Sequence, residues 1–122
     1  MKSDEIFKAS AQVMKGLLGA RGVAEAITRA QGRGAESNKT LIDRYREQIN
    51  DLVRAILDAG DPGRMLENAT QELKDAMVVR YLRNRELFLQ TFPDGIEGID
   101  PDPGAIWAAI MISPQDESSP SA

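Results

Sequence analysis

The chain has 122 residues and a net charge of −4, which is enough length for one domain with a hydrophobic core. It contains no cysteine and no histidine, which excludes disulfides, cysteine nucleophiles, Ser–His–Asp triads and histidine-ligated metal centres. Few enzyme mechanisms remain, so we expect a protein that is not an enzyme, with no catalytic residues and no bound cofactor or metal. Aromatic residues make up only 5% of the sequence and hydrophobic residues 42%, which favours an aliphatic, helical core.

The amino-terminal part of the chain predicts two helices. Ser3 is a good N-cap, and the acidic residues that follow it suit the positive end of a helix dipole. Apolar residues then recur with helical spacing up to Leu18, and Gly19 punctuates the end of this helix. A shorter helix is expected over about 23–30, before the two glycines of the next linker.

The clearest periodicity in the chain predicts a helix over residues 38–59. Its apolar residues are spaced by 3, 4, 3 and 4, at Ile42, Tyr45, Ile49, Leu52 and Ile56. Residues 60–63 read Gly-Asp-Pro-Gly, a turn that ends one helix and begins another. The short linker predicts an antiparallel hairpin of 38–59 with a second helix over 62–92. A helix of that length would measure about 45 Å, so we expect it to break near Asn84, the alternative being a projecting helix that finds a partner.

The carboxyl-terminal part is a loop followed by a short apolar segment. Residues 105–112 are apolar on all sides and contain Trp107, the only tryptophan. Such a segment must be covered on more than one face, so it is expected to fold back and close the core. The alternative is an anchor in a partner, with Trp107, Ile110 and Met111 as contact residues. Residues 113–122 are small and polar and are expected to form a disordered tail.

These elements predict an all-α fold, a small bundle of four to five helices around the antiparallel hairpin, with residues 1–112 as the only domain. No apolar run approaches the roughly 20 residues that span a bilayer, and the first residues lack the pattern of a secretory signal. We therefore expect a cytoplasmic protein without membrane contact.

Two segments resemble ligand-binding motifs but lack residues that those motifs require. The linker 32–40 ends in Lys-Thr like a phosphate-binding P-loop, but the required glycines are replaced by Arg33 and Asn38. The linker is expected simply to join two helices. The acidic residues of 94–102 lack the calcium-loop pattern, and turn formation and helix capping explain them instead.

Arginine clusters are the remaining candidates for binding. They comprise Arg44 and Arg46 beside Tyr45, and Arg80, Arg83 and Arg85 beside Tyr81. Acidic neighbours predict salt-bridged helix surfaces, with a partner as the alternative. The sequence therefore favours a non-enzymatic protein-interaction module, such as an adaptor, assembly chaperone or accessory subunit, that self-associates. The alternative is a nucleic-acid-associated regulator that binds phosphates through these arginines.

Overall fold

The computed structural model describes residues 1–59 and 66–112, and this part of the chain contains helices and no strand. Its six helices are α1 (Ser3–Leu18), α2 (Ala20–Arg33), α3 (Ala35–Arg44), α4 (Arg46–Ala59), α5 (Gln71–Thr91) and α6 (Pro103–Ile112). No helix in the described ranges is both long and apolar enough to cross a bilayer. The all-α prediction is confirmed, with more helices than the four to five expected. The predicted turn at 60–63 and the predicted tail lie outside the described residues.

Two glycines separate the first three helices. Gly19 and Gly34 have φ angles of 81° and 89°, a left-handed conformation that glycine adopts without steric cost. α1 begins at Ser3, so Lys2 rather than Ser3 is its N-cap, and the Lys2 backbone N–H donates to the Glu5 carboxylate at 3.1 Å. α2 starts directly after Gly19 and is longer than the predicted 23–30.

The predicted helix 38–59 is divided at Tyr45, which separates α3 from α4. Tyr45 has φ −104° and ψ 13°, outside the α-helical region. The backbone N–H of Tyr45 still donates to Leu41, and its carbonyl still accepts from Ile49. The chain therefore bends at Tyr45 while both of these backbone hydrogen bonds are kept. Because the apolar period continues through Tyr45, the period cannot reveal the bend.

The bend changes what the two halves pack against. α3 lies against α5, whereas α4 lies mainly against α6. The hairpin expected of 38–59 and 62–92 is therefore corrected in the described residues: only its first half packs along α5 as a helix.

α5 begins later than expected and does not break at Asn84. Its N-cap is Thr70, whose hydroxyl accepts from the Leu73 backbone N–H at 3.2 Å. The helix then runs unbroken to Thr91, about 30 Å at 1.5 Å per residue. The Asn84 side chain donates to the Met111 carbonyl at 2.9 Å instead of competing for the backbone of its own helix. The predicted break near Asn84 is therefore wrong.

α6 closes the core, as the first interpretation of segment 105–112 predicts. It packs against α1, α4 and α5, and Trp107 is fully buried. Ile6 and Met14 of α1 and Ile49 of α4 belong to the same buried cluster. A helix that is apolar all round is thereby covered on three sides.

Candidate functional site

Four of the six residues predicted to contact a partner lie in the core. Trp107, Ile110, Met111 and Arg80 each have 0% of their surface exposed. The three on α6 are enclosed because that helix is covered by three others. All four are closed to a partner while the chain keeps this fold, and only Arg83 and Arg85 of the predicted set remain partly exposed.

Arg80 joins three helices from inside the core. Its Nε donates to the Met111 carbonyl at 2.9 Å, near the end of α6, and its Nη2 donates to Asn50 Oδ1 at 2.7 Å. Its Nη1 lies 3.5 Å from the Arg46 carbonyl. A cation beside the carboxyl end of α6 also suits the dipole of that helix. These contacts give Arg80 a structural role between α5, α4 and α6.

The five arginines of the nucleic-acid alternative do not share one surface. Arg44 and Arg46 at the α3–α4 junction lie 3.6 and 2.6 Å from the carboxylates of Glu72 and Asp43. Arg80 is in the core. Arg83 and Arg85 are two residues apart, so they point roughly 160° away from each other around α5. The structure brings together no basic surface from this set.

A buried carboxylate that sequence reasoning missed joins α2 to α5. Asp75 is 2% exposed and accepts two hydrogen bonds from Arg29, at 2.7 and 2.9 Å, and one from Arg33 at 2.6 Å. Burial would raise the pKa of Asp75, but the hydrogen bonds from the two arginines outweigh burial and hold the pKa below its ordinary value. The hydrogen bond to Asp75 raises the pKa of Arg29 in turn. The spacing of Arg29 and Arg33, one helical turn apart, was the signal available in the sequence.

A groove with a partly apolar lining lies on the surface of the described part of the chain. It has a volume of about 500 Å³, lies between α4 and residues 68–73, and is lined by Tyr45, Gln48, Asp51, Leu52, Asn68, Ala69, Thr70 and Leu73. The Tyr45 hydroxyl donates to Glu72 at 2.8 Å beside it. Its polar lining residues are mainly amides and hydroxyls, and the described ranges contain no group of three acidic side chains placed to hold a metal ion.

A partly exposed stripe lies at the carboxyl-terminal end of α5 and is formed by Arg85, Leu89 and Phe92, the residue that caps the helix. Leu89 is 41% exposed and Phe92 39% exposed. Val78 lies on the same side of α5, three turns before Leu89, and is fully buried. One side of this helix is therefore covered at its beginning and bare at its end.

An aromatic cluster supports the stripe from below. The Phe88 and Phe92 rings lie 5.1 Å apart, and the Phe7 ring of α1 meets Phe88 edge-on at 6.4 Å. The Arg85 guanidinium lies 5.9 and 5.7 Å from the ring centres of Phe7 and Tyr81, within cation–π distance. The stripe thus sits on packed rings, which limits the conformational entropy that its side chains can lose on binding.

Comparison of the chain with models of protein families, with curated protein sequences and with solved structures finds no match. The candidate site is therefore defined by its geometry alone.

Proposed function

We propose that this chain is a non-enzymatic protein-interaction module that associates with a second copy of itself through the stripe of Arg85, Leu89 and Phe92. The observation that carries the proposal is the exposure of Leu89 and Phe92 side by side on the end of α5. Single exposed apolar residues are ordinary on a protein surface, whereas adjacent ones on a packed support mark contact sites.

The composition of the stripe suits an interface. Arginine and aromatic residues are enriched at the centres of protein–protein contacts, and they contribute most to binding when a packed pocket excludes water around them. The chain has few aromatic residues, at 5%, yet Phe92 lies partly in solvent. The stripe is also self-complementary, because two apolar helix surfaces can meet about a two-fold axis.

The expected complex is weak. Stable interfaces bury about 1,600 Å² in total, and three side chains from each copy with their surroundings cover less than that. We therefore expect a dissociation constant on the order of 100 µM, about −5.5 kcal/mol. Dimers of this strength form only in concentrated solution.

Size-exclusion chromatography with light scattering tests this proposal at protein concentrations from about 10 µM to 1 mM, a range that brackets the expected constant. The wild-type mass should rise from the monomer toward the dimer across the range. The double substitution Leu89→Ser with Phe92→Ser should keep the protein monomeric throughout. Leu57→Ser is the matched control, because Leu57 is 52% exposed on a different helix, and it should dimerise like the wild type.

Absorbance at 260 and 280 nm recorded on the same column addresses the alternative function. A wild-type monomer at every concentration would refute self-association. Nucleic acid that co-elutes with the protein and is released by salt would favour the regulator alternative instead.

A further inference from the structure

We infer that the groove between α4 and residues 68–73 binds a small organic amine, with its apolar body on Leu52 and Leu73 and its ammonium group beside Asp51. This inference does not depend on the self-association proposed above, because the groove lies at the beginning of α5 and the stripe at its end. It follows from the floor of the groove, from the hydrogen bonds that hold its sides and from the charge of its lining.

The floor of the groove belongs to the hydrophobic core. Leu52 and Leu73 are buried members of the main core cluster, and Tyr45 and Ala69 are partly buried against that cluster. The volume of about 500 Å³ lies within the range of roughly 300–1,000 Å³ that small-molecule sites occupy. Such sites are mainly apolar and carry a few polar groups that fix the orientation of the ligand. The occupant therefore needs an apolar body.

Hydrogen bonds hold the two sides of the groove in place. The Tyr45 hydroxyl, at the start of α4, donates to the Glu72 carboxylate of α5 at 2.8 Å. On the other side, the Thr70 hydroxyl accepts from the Leu73 backbone N–H at 3.2 Å. A site that is already formed loses little conformational entropy when a ligand enters it. The sides of the groove are therefore suited to a small ligand as they stand.

The charge of the lining selects the class of ligand. Asp51 is the only charged side chain among the described residues that line the groove. Its carboxylate lies 3.5 Å from the Arg54 guanidinium, and the Asp51 and Arg54 side chains are 61% and 74% exposed. An ion pair this exposed contributes little, so a ligand cation can take the place of Arg54. A phosphate or carboxylate ligand would meet no cation in this lining and would lie beside Asp51 instead.

The remaining polar groups also suit an ammonium ion. An ammonium group has three hydrogen-bond donors and no acceptor. Gln48 and Asn68 line the groove and supply amide oxygens, which accept hydrogen bonds. The Tyr45 side chain lines it as well, and aromatic rings attract a cation that lies within about 6 Å of the ring centre. An amine should therefore bind better than an alcohol or a carboxylate of the same shape.

Nuclear magnetic resonance of the isotope-labelled full chain tests this with benzylamine, benzyl alcohol and benzoate, which share one ring and differ in charge at pH 7. A protein concentration of about 20 µM, below the constant expected for self-association, keeps the chain monomeric. Benzylamine should bind with a dissociation constant on the order of 1 mM and shift the amide signals of residues 45–52 and 68–73. Benzyl alcohol should bind about fivefold more weakly, and benzoate more weakly still.

Removal of the charge at Asp51 separates its contribution from that of the apolar floor. Asp51→Asn should weaken benzylamine binding about fivefold, to the level of benzyl alcohol, and leave the binding of the alcohol unchanged. Asp58→Asn is the matched control, because Asp58 is an exposed residue of the same helix that does not line the groove. It should leave benzylamine binding as in the wild type.

Three outcomes would overturn the inference. Equal affinities for the three probes, or an equal loss in Asp51→Asn and Asp58→Asn, would show that Asp51 does not select a cation. Signals of the groove that stay unshifted up to about 20 mM benzylamine would show that the groove is not its site. None of these results bears on the stripe, whose test is the mass of the protein at high concentration.

Discussion

Asp75 and Arg80 are buried charges of opposite sign, about one and a half turns apart on α5. Asp75 faces two arginines of α2, so its charge is neutralised directly. Arg80 is held by two backbone carbonyls and the amide of Asn50. Both side chains therefore hold neighbouring helices together and are not available as contacts for a partner.

Replacement of Asp75 by Asn should destabilise the fold by about 2–3 kcal/mol at pH 7, because it leaves two guanidinium groups without their carboxylate. Asp43→Asn is the matched control, since Asp43 pairs with Arg46 at the surface, and it should cost less than about 0.5 kcal/mol. Urea denaturation followed by circular dichroism measures both. Equal effects of the two substitutions would contradict the role of Asp75.

The same pair predicts how the effect depends on pH. The folded-state pKa of Asp75 is lowered, so its stabilising contribution is present above the unfolded value of about 3.9 and is lost as the pH falls through the folded value. The difference in unfolding free energy between wild type and Asp75→Asn should therefore shrink when the pH is lowered from about 5 to 3. A difference that stays constant over this range would contradict the assignment.

At the scale of single helices, the hydrogen bonds by which Arg80 joins α5 to α4 and α6 should depend on the shape of the guanidinium group. Lysine keeps the charge but cannot direct donors to α4 and α6 at once. We expect Arg80→Lys to cost about 2–4 kcal/mol, since it leaves buried acceptors without a donor. Arg83→Lys on the same helix is partly exposed and should be nearly neutral. Chemical denaturation measures the unfolding free energy of both variants. A loss for Arg80→Lys that is as small as the loss for Arg83→Lys would contradict the structural role of Arg80.

Local signals predicted much of the helical structure but not its divisions. The acidic residues after Ser3 and the apolar spacing indicated the start of α1 to within one residue, and the all-round apolar character of residues 105–112 indicated that they close the core. The predicted starts of the next two helices, at residues 23 and 38, were each three residues late. Tyr45 continues the apolar period of its segment, so no local signal marks the bend there. The start of α5 at Gln71 was missed because the apolar pattern of the predicted helix 62–92 already begins at Leu66, before α5 itself.

The candidate site was harder to predict than the fold. Burial of Arg80 and exposure of Leu89 depend on which helices cover each half of α5, and one helix's sequence does not contain that information. Arg85 was among the predicted contacts, but Leu89 and Phe92 were not. On the sequence, Phe92 belongs to the apolar side of its helix, and that side of a helix usually faces the core.

For the whole molecule, α6 should be essential to the core. Trp107→Ala should cost about 3–5 kcal/mol because it leaves a large cavity among four helices, whereas Leu57→Ala at an exposed position should cost little. In the wild type, Trp107 fluorescence and helical circular dichroism should report one unfolding transition in urea. Two separate transitions would mean that α6 unfolds independently and does not close the core.

Amide hydrogen exchange of the unmodified protein tests the central claim most directly, because it locates the contact surface without any substitution. Samples at about 10 µM and 1 mM bracket the expected constant and should differ in the peptides that cover residues 85–94. These peptides should exchange more slowly in the concentrated sample, while peptides of α2 and α3 exchange alike in both. Exchange at 85–94 that is independent of concentration, or protection confined to other helices, would contradict an interface on the stripe.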